Sequence, residues 1–260
     1  MKIVTFNVRF NNPNDGEFSF EHRKEEIIRR IQAEQPDVIG FQEIRDDMQP
    51  WMEEHLPEYV WVGHGRTAEL TGEHCPVVYR KDKFKLRNFQ CFWLSDTPNV
   101  PASKFEGQGY HPRICNMLLL YSIEDKKTIC VFNTHLCNVC ADARKKSMEL
   151  MLAKGDEFLA GEKMPIFIMG DFNAYVGSPT INAAYESFND AHDVADINLQ
   201  AGQKEATYQN WGTKLNNKRI DFFMVSKTGI DVNTYDVLDR THDGVYASDH
   251  FPIYIEIELE

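Results

Sequence analysis

Pro165-Ile166-Phe167-Ile168-Met169-Gly170-Asp171-Phe172-Asn173 is an apolar run that stops abruptly at polar residues. Four consecutive large apolar side chains predict a strand that is covered on both faces, and a carboxylate and a carboxamide follow where the strand ends. In sheet proteins, binding groups gather at strand ends because loops expose polar groups there without opening the core. Taken alone, this ending is also typical of an ordinary turn. The choice between a binding site and an ordinary turn therefore depends on the rest of the chain.

Further apolar runs alternate with helical patterns along the chain. Continuous or alternating apolar segments predict strands over residues 2–8, 38–41, 59–62, 76–80, 84–94, 114–122, 128–134, 219–225, 230–238 and 253–259. Apolar spacings of three and four predict helices over 19–35, 46–56 and 142–159, with a short helix after Ser178-Pro179. Segment 95–112 predicts a long irregular loop that we interpret as a wall of a binding cleft, and segment 188–218 lacks a clear pattern. The alternation predicts an α/β fold.

The composition is that of an ordinary globular protein. The 260 residues suit one large domain over 1–260, without a linker or low-complexity tract that would mark a boundary. The N-terminal apolar run is too short for a signal peptide, and no later run approaches the length of a membrane span. Six cysteines are too few for a disulfide scaffold and predict reduced thiols. We expect a cytoplasmic monomer without a membrane partner, with a leader removed from a longer precursor as an open alternative.

The charge balance limits the possible partners. The formal net charge is −12, from 28 basic and 40 acidic residues. This charge opposes the electrostatic attraction that drives non-specific binding to duplex nucleic acid, so we do not expect tight duplex binding. An acidic chain does suit a site that collects divalent cations, although many of these carboxylates are solvated surface groups.

Polar groups follow or begin several of the other apolar runs, as they do after the opening stretch. They are Asn7, Glu43, His135, Asp171, Asn173, Asp221, Asp249 and His250. A set dominated by oxygen atoms suits a hard cation such as Mg²⁺ or Mn²⁺, whereas zinc favours histidine and cysteine. The imidazoles could assist a nucleophile and contact negative charge on phosphoryl oxygens. The set therefore predicts metal-assisted phosphoester hydrolysis, although a single strand-end glutamate is more often solvated than a ligand.

Two competing motifs carry less weight. Cys137 and Cys140 have C-x-x-C spacing, but the zinc and redox interpretations each need further ligands or a context that the chain lacks. Ser248-Asp249-His250 contains the residue types of a hydrolase triad, yet adjacent side chains cannot form the required relay, and no G-x-S-x-G motif is present. The sequence also has no G-x-x-x-x-G-K-[ST] phosphate loop, which disfavours chemistry driven by nucleoside triphosphates.

Six short motifs occur in one order along the chain and together resemble a known family. They are Thr5-Phe6-Asn7-Val8, Gln42-Glu43, Asn133-Thr134-His135-Leu136, Gly170-Asp171-Phe172-Asn173, Arg219-Ile220-Asp221-Phe222 and Ser248-Asp249-His250. The succession is similar to that of the endonuclease/exonuclease/phosphatase superfamily of Mg²⁺-dependent phosphoesterases. Within it, the chain resembles bacterial members allied to the carbon catabolite repressor deadenylases. The resemblance implies a DNase I-like, four-layer α/β sandwich in which helices flank two packed mixed sheets.

The same resemblance implies a metal site and a water site. Glu43 would be the main ligand of Mg²⁺ or Mn²⁺, with Asn7 and Asp249 completing or adjoining the site. Asp171 would orient or deprotonate the attacking water. The chain departs from its relatives at Cys137-Asn138, where they often carry Asp-His, so no polar contact is transferred to that position.

The remaining catalytic positions implied by the resemblance surround the phosphoryl group. Asn173 and His135 would bind phosphoryl oxygens. His250, oriented by Asp221, would contact the phosphate or serve as the base, and the family leaves both roles open. Glu73 would orient His135.

The sequence defines the substrate less closely than the fold. The resemblance implies that Arg113 holds a substrate anion. We expect a nucleotide or a single-stranded RNA or DNA end as the phosphoester, because Trp211 and the 95–112 loop offer aromatic stacking; packing under a loop is the alternative for Trp211. A sugar, inositol or lipid headgroup is the second candidate. A non-catalytic module that keeps the fold and binds metal or phosphate is a further alternative.

Overall fold

The computed structural model describes residues 1–200, 206–214, 218–238, 241 and 244–260. Its strands, in chain order, are β1 (Lys2–Asn7), β2 (Val38–Gln42), β3 (Ile44–Arg45), β4 (Tyr59–Val62), β5 (Glu73–His74), β6 (Val77–Arg80), β7 (Phe84–Trp93), β8 (Ile114–Ser122), β9 (Thr128–His135), β10 (Ile166–Asp171), β11 (Phe188–Asp190), β12 (Ile197–Asn198), β13 (Asp221–Ser226), β14 (Asp231–Val237) and β15 (Ile253–Glu258). Its helices are a 3-10 helix (Pro13–Phe18), α1 (Phe20–Glu34), α2 (Gln49–His55), α3 (Ala141–Leu159), α4 (Pro179–Tyr185) and α5 (Ala191–Val194).

The strands form two large mixed sheets. In the described residues, one sheet has the order β12-β14-β15-β1-β2-β6-β4 and the other has the order β11-β13-β10-β9-β8-β7. β1 runs parallel to β2 and antiparallel to β15, while β10 runs parallel to β9 and antiparallel to β13. A separate two-stranded sheet pairs β3 with β5. The sheets pack face to face with helices on their outer faces, so the predicted four-layer α/β sandwich is confirmed.

Alternation within β10 explains its continuous apolar sequence. Phe167 and Met169 join an apolar cluster with Ile3 and Val38 of the other sheet. Ile168, on the opposite face, packs in the cluster beneath the helices that cover its own sheet. Because successive side chains of a strand point to opposite faces, a strand buried on both sides has no position for a polar residue until it ends.

Amphipathic helices cover the outer faces of both sheets. Ile27 and Ile31 of α1 pack with Val4 of β1, whereas Met148 and Met151 of α3 belong to the cluster on the outer face of the second sheet. The methionines are therefore core residues, as their spacing predicts. The short helix α4 begins as expected, since the Ser178 side chain accepts a hydrogen bond from the backbone of the first turn.

A glycine and a buried amide let the two sheets approach each other. A Cβ atom on Gly40 would lie 2.6 Å from the Met169 side chain and 2.8 Å from Asn133 Oδ1. The Asn133 side chain donates to the carbonyl oxygen of Phe41 and accepts from Gln42 Nε2, at 2.7 Å in both cases. This fully buried network fixes the strands of one sheet against the other near the edge where the polar residues lie.

Some predicted boundaries differ from the structure. The helix predicted from residue 46 begins at Gln49, because the Asp46 carboxylate binds the backbone of Gly72 and the His74 ring. The strand predicted from Arg219 begins at Asp221, so this carboxylate lies at the strand end. Within segment 188–218, residues 201–205 and 215–217 lie outside the described residues. The cysteines are free thiols, as expected, and no helix among the described residues is long and apolar enough to cross a membrane.

Candidate active site

Strand pairing places three predicted site residues side by side in one sheet. Asp171, the last residue of β10, pairs with His135 at the end of β9 and with Asp221 at the start of β13. In the other sheet, Asn7 at the end of β1 pairs with Gln42, and Glu43 follows directly. The parallel strand ends of both sheets meet at the same edge of the sandwich. Asn7, His135 and Asp171 each end an apolar strand, at the positions expected from the sequence.

The backbone at the end of β10 requires glycine. Gly170 has φ +141°, and a Cβ atom there would lie 1.9 Å from the carbonyl oxygen of Thr134 in β9. The chain then turns back at Asn173, whose φ is 48° and whose backbone N–H donates to Asp171 Oδ1 at 2.9 Å. The Asn173 side chain donates to the carbonyl oxygen of Leu136 at 3.1 Å. Close approach to β9 and a left-handed turn thus fix the directions of both side chains.

Asn7 connects the two sheets at the site. Its Nδ2 atom donates to Glu43 Oε1 at 3.1 Å and to Asp171 Oδ2 at 3.0 Å. The second oxygen of Glu43 accepts from the backbone of Phe10 at 2.9 Å. Glu43 itself has φ 64°, a left-handed conformation that is costly for a glutamate. The Glu43 carboxylate is therefore held in place by neighbours on both sides.

Glu43 and Asp249 form a pair of carboxylates with limited neutralisation. Burial and the negative charge of Glu43 raise the pKa of Asp249, while His250 and Arg9 oppose the increase. The Arg9 Nε atom is 4.0 Å from Asp249 Oδ2, and Arg9 makes its close ion pair with Asp15 at 2.9 Å instead. A buried carboxylate and a half-buried one that repel each other, with only the more distant contact to Arg9, match the oxygen-donor chemistry of Mg²⁺ or Mn²⁺.

A second group of ligand atoms is formed by Asp171, Asp221 and His250, all within 4.8 Å of one another. His250 Nδ1 and Asp221 Oδ2 are 3.0 Å apart, and both side chains are buried. Burial alone would lower the pKa of His250, but the charge and hydrogen bond of Asp221, together with Asp171, raise it to about 10. A protonated imidazole is a poor metal ligand, so the Asn7, Glu43 and Asp249 set fits a cation better.

Asp171 and His135 have pKa values displaced in opposite ways by their surroundings. Burial and the negative charge of Asp221 raise the pKa of Asp171 to about 7, despite the opposing charge of His250. Burial and the positive charge of Arg113 hold the pKa of His135 well below its usual range. Asp171 Oδ2 lies 3.3 Å from His135 Nε2 and 3.8 Å from His250 Nε2. One carboxylate therefore faces a neutral imidazole and a protonated one.

The substrate-binding residues expected from the sequence need two corrections. Glu73 does not orient His135: its carboxylate pairs with Arg66 at 2.6 Å, and among the described residues His135 Nδ1 has no hydrogen-bond partner. Trp211 stacks on Phe18, with ring centroids 4.7 Å apart and planes 5° apart, so packing accounts for this tryptophan.

Three neighbours of the site could not be recognised from the sequence. Arg66 lies in a polar loop, and nothing in the sequence except the charge of this residue indicates a role at the site. Tyr208 has its ring 5.0 Å from the ring of His250 and makes a β-bridge to the same residue. Thr207, one position earlier, accepts from the backbone N–H of Asp221 at 3.2 Å. Such contacts between distant segments leave no periodic pattern in a sequence.

A four-layer sandwich with oxygen donors and imidazoles at one edge defines a class of hydrolases that act on phosphoester bonds. Residues 4–250 match the model of the Endonuclease/Exonuclease/phosphatase family, and the chain belongs to that family. The resemblance in the sequence is thereby confirmed, and members of this family hydrolyse phosphoester bonds.

Three relatives illustrate the similarity. A family protein from Bacteroides thetaiotaomicron is 28% identical, with a TM-score of 0.92 over 100% of this chain and 98% of that chain. The mannosyl-6-phosphatase Bt3783 of Bacteroides thetaiotaomicron VPI-5482 is 28% identical, with a TM-score of 0.90 over 100% of both chains. The uncharacterized protein L388 of Acanthamoeba polyphaga mimivirus is 28% identical over 183 residues, which cover 66% of this chain and 67% of L388.

Proposed function

We propose that this protein is a metal-dependent phosphoester hydrolase that uses an activated water, within a single domain over residues 1–260. The main supporting observation is the bridge that Asn7 makes between Glu43 of one sheet and Asp171 of the other. Through one amide, it connects the carboxylate that we propose as the cation ligand with the carboxylate that we propose as the general base. A non-catalytic module would have no need to hold both groups in this relation.

The residues of the second sheet have separate roles in the proposed reaction. Asp171 accepts the proton of the attacking water, since a base acts best when its pKa lies near the working pH. His250, kept protonated by Asp221, donates to a phosphoryl oxygen, which favours the phosphate contact over the base among its two possible roles. His135 and the remaining amide N–H of Asn173 contact the other phosphoryl oxygens.

The cation would be held by Glu43, with Asn7 and Asp249 as further ligands. The fit rests on the carboxylates of Asp249, which is buried, and of Glu43, whose negative charge raises the pKa of Asp249, while the Arg9 Nε atom stays 4.0 Å from Asp249 Oδ2. When bound, Mg²⁺ or Mn²⁺ supplies charge neutralisation for the phosphoryl oxygens. The Phe10 backbone N–H and the Asn7 amide keep the Glu43 carboxylate oriented toward that position.

A sugar phosphate is the substrate class that we propose first. The similarity to a mannosyl-6-phosphatase over both full chains supports it. The packing of Trp211 against Phe18 also removes one of the two stacking platforms that favoured a nucleotide. The test compares kcat/KM for mannose 6-phosphate, inositol 1-phosphate, glycerophosphocholine and an oligoadenylate at equal Mg²⁺. Turnover of the sugar phosphate at least about tenfold faster than of the oligoadenylate supports the proposal, and the reverse order contradicts it.

A nucleotide or single-stranded nucleic acid end is the second candidate. Tyr110, in the irregular loop over 95–112, is 87% exposed, and an exposed aromatic ring can stack on a base. If a base binds there, Tyr110→Ala raises KM for the oligoadenylate while KM for mannose 6-phosphate stays unchanged. An equal change for both substrates, or no change for either, counts against stacking by this ring.

A further inference from the structure

Two buried arginines lie next to the proposed phosphoryl position. The backbones of both arginines are hydrogen-bonded to two consecutive residues of the chain. The Trp93 indole N–H donates to the carbonyl oxygen of Arg66, and the Leu94 backbone N–H donates to the carbonyl oxygen of Arg113, both at 2.8 Å. Arg113 directly precedes β8, whose antiparallel pairing with β9 places it beside the strand end that carries His135. These contacts hold both arginines at the same edge as the catalytic residues.

The short sheet β3–β5 brings Arg66 close to the proposed metal ligands. Arg45 pairs with Glu73 in this sheet, so the chain that follows Glu43 lies next to the carboxylate that binds Arg66. Burial lowers the pKa of Arg66, and the positive charge of Arg113 adds to this effect while Glu73 opposes it. The two arginines are also close enough to the site for the charge of Glu43 to act on Arg66 and for both arginines to lower the pKa of His135.

The two arginines differ in how far their charges are compensated. Arg66 has a close carboxylate partner, since its Nη2 atom is 2.6 Å from Glu73 Oε1. Arg113 is only 7% exposed, yet its Nη1 atom has no hydrogen-bond partner among the described residues. An unsatisfied buried guanidinium nitrogen is costly unless a ligand completes its hydrogen bonds.

We propose that Arg113, which lies close to the Arg66–Glu73 pair, binds the second negative charge of a phosphomonoester and thereby selects monoesters over diesters. This inference rests on the proposed function. A phosphomonoester carries a charge of about −2 above pH 7, and it presents one more anionic oxygen than a diester. A guanidinium fork binds such oxygens in a fixed geometry, and the close ion pair with Glu73 compensates the charge of the neighbouring Arg66.

Calorimetric binding of methyl phosphate and dimethyl phosphate, at pH 8 with Mg²⁺, tests the proposal because these probes differ by one charge. In Arg113→Met, methyl phosphate affinity should fall roughly 10- to 100-fold, the usual loss for a charge-assisted hydrogen bond, whereas dimethyl phosphate affinity should fall less than about threefold. Arg113→Lys keeps the charge but loses the fork, so part of the preference should return. Lysine rescue distinguishes charge recognition from a folding defect.

The matched control is Arg45→Met, which removes one positive charge from an exposed arginine of the same small sheet. The Arg45 side chain is 46% exposed, so solvent screens its charge and the ratio of the two affinities should not change. Equal weakening of both probes in Arg113→Met, or no preference for methyl phosphate in the wild type, would overturn the inference. If the inference fails in this way but the wild type hydrolyses phosphodiesters, the proposed function is still supported.

Discussion

Substitution of Asp221 by asparagine tests how His250 is used. The His250 Nδ1 and Asp221 Oδ2 atoms are 3.0 Å apart, and the two side chains are 6% and 3% exposed. Asparagine keeps the size of the side chain and an acceptor oxygen but removes the charge that holds the imidazole protonated. A hydrogen bond to a charged group contributes about 1.5–3 kcal/mol and a neutral one about 1 kcal/mol. We therefore expect a loss of about 1–2 kcal/mol in transition-state stabilisation, which is about a 5- to 30-fold lower kcat/KM.

The assay is the steady-state hydrolysis of p-nitrophenyl phosphate with saturating Mg²⁺, together with thermal unfolding of each variant. The matched control is Asp190→Asn, which changes the same residue type in another buried pair, with Arg219 Nη1 2.7 Å from Asp190 Oδ2. This control should lower the Tm without a comparable loss of kcat/KM. Wild-type activity in Asp221→Asn, or an equal loss in Asp190→Asn, would refute the assigned role of the pair.

Three further predictions concern metal binding, folding and pH. Glu43→Ala should weaken calorimetric Mg²⁺ binding at least about tenfold while the exposed Glu69→Ala does not, and unchanged affinity would remove Glu43 from the metal site. Gly170→Ala should cost at least about 3 kcal/mol in urea unfolding, because its Cβ would lie 1.9 Å from a carbonyl oxygen. Gly177→Ala, with φ +81° but nothing within 4 Å, should cost only about 1–2 kcal/mol, and equal costs would contradict the steric argument. Because its pKa is lowered, the His135 ring stays neutral in the folded state. The stability that the buried neutral ring contributes is therefore lost as the pH falls below about 6.5, where the unfolded chain binds the proton. His135→Gln should accordingly lose less stability than the wild type between pH 7.5 and 5.5 in EDTA, and parallel losses would contradict this account.

The sequence predicts the layers and the main polar set because both depend on local patterns. An apolar run such as residues 166–169 predicts a strand covered on both faces, and the groups that follow such runs meet where parallel strands end together. The strand-end positions of Asp171, His135 and Asn7 are therefore predictable from the sequence. The number of residues between them does not indicate how close they are in the folded protein, whereas the order and pairing of the strands do.

The parts that could not be predicted depend on contacts between short or irregular segments. β3 and β5 have two residues each, too few for any period, yet their pairing brings Glu73 to Arg66 and away from His135. Likewise, Trp211 stacks on a ring nearly two hundred positions earlier in the chain. Because such side chains are positioned by loops, residue type alone could not distinguish a substrate platform from packing.

The most direct test of the central claim is the rate of hydrolysis of p-nitrophenyl phosphate and bis-p-nitrophenyl phosphate with Mg²⁺ or Mn²⁺ and after chelation by EDTA. The account predicts turnover that requires the metal and disappears in both Glu43→Ala and His250→Ala, because one residue holds the cation and the other contacts the phosphoryl group. No turnover of either ester, turnover indifferent to EDTA, or activity retained in both variants would contradict it. Magnesium binding without any hydrolysis would point instead to a non-catalytic module with the same fold.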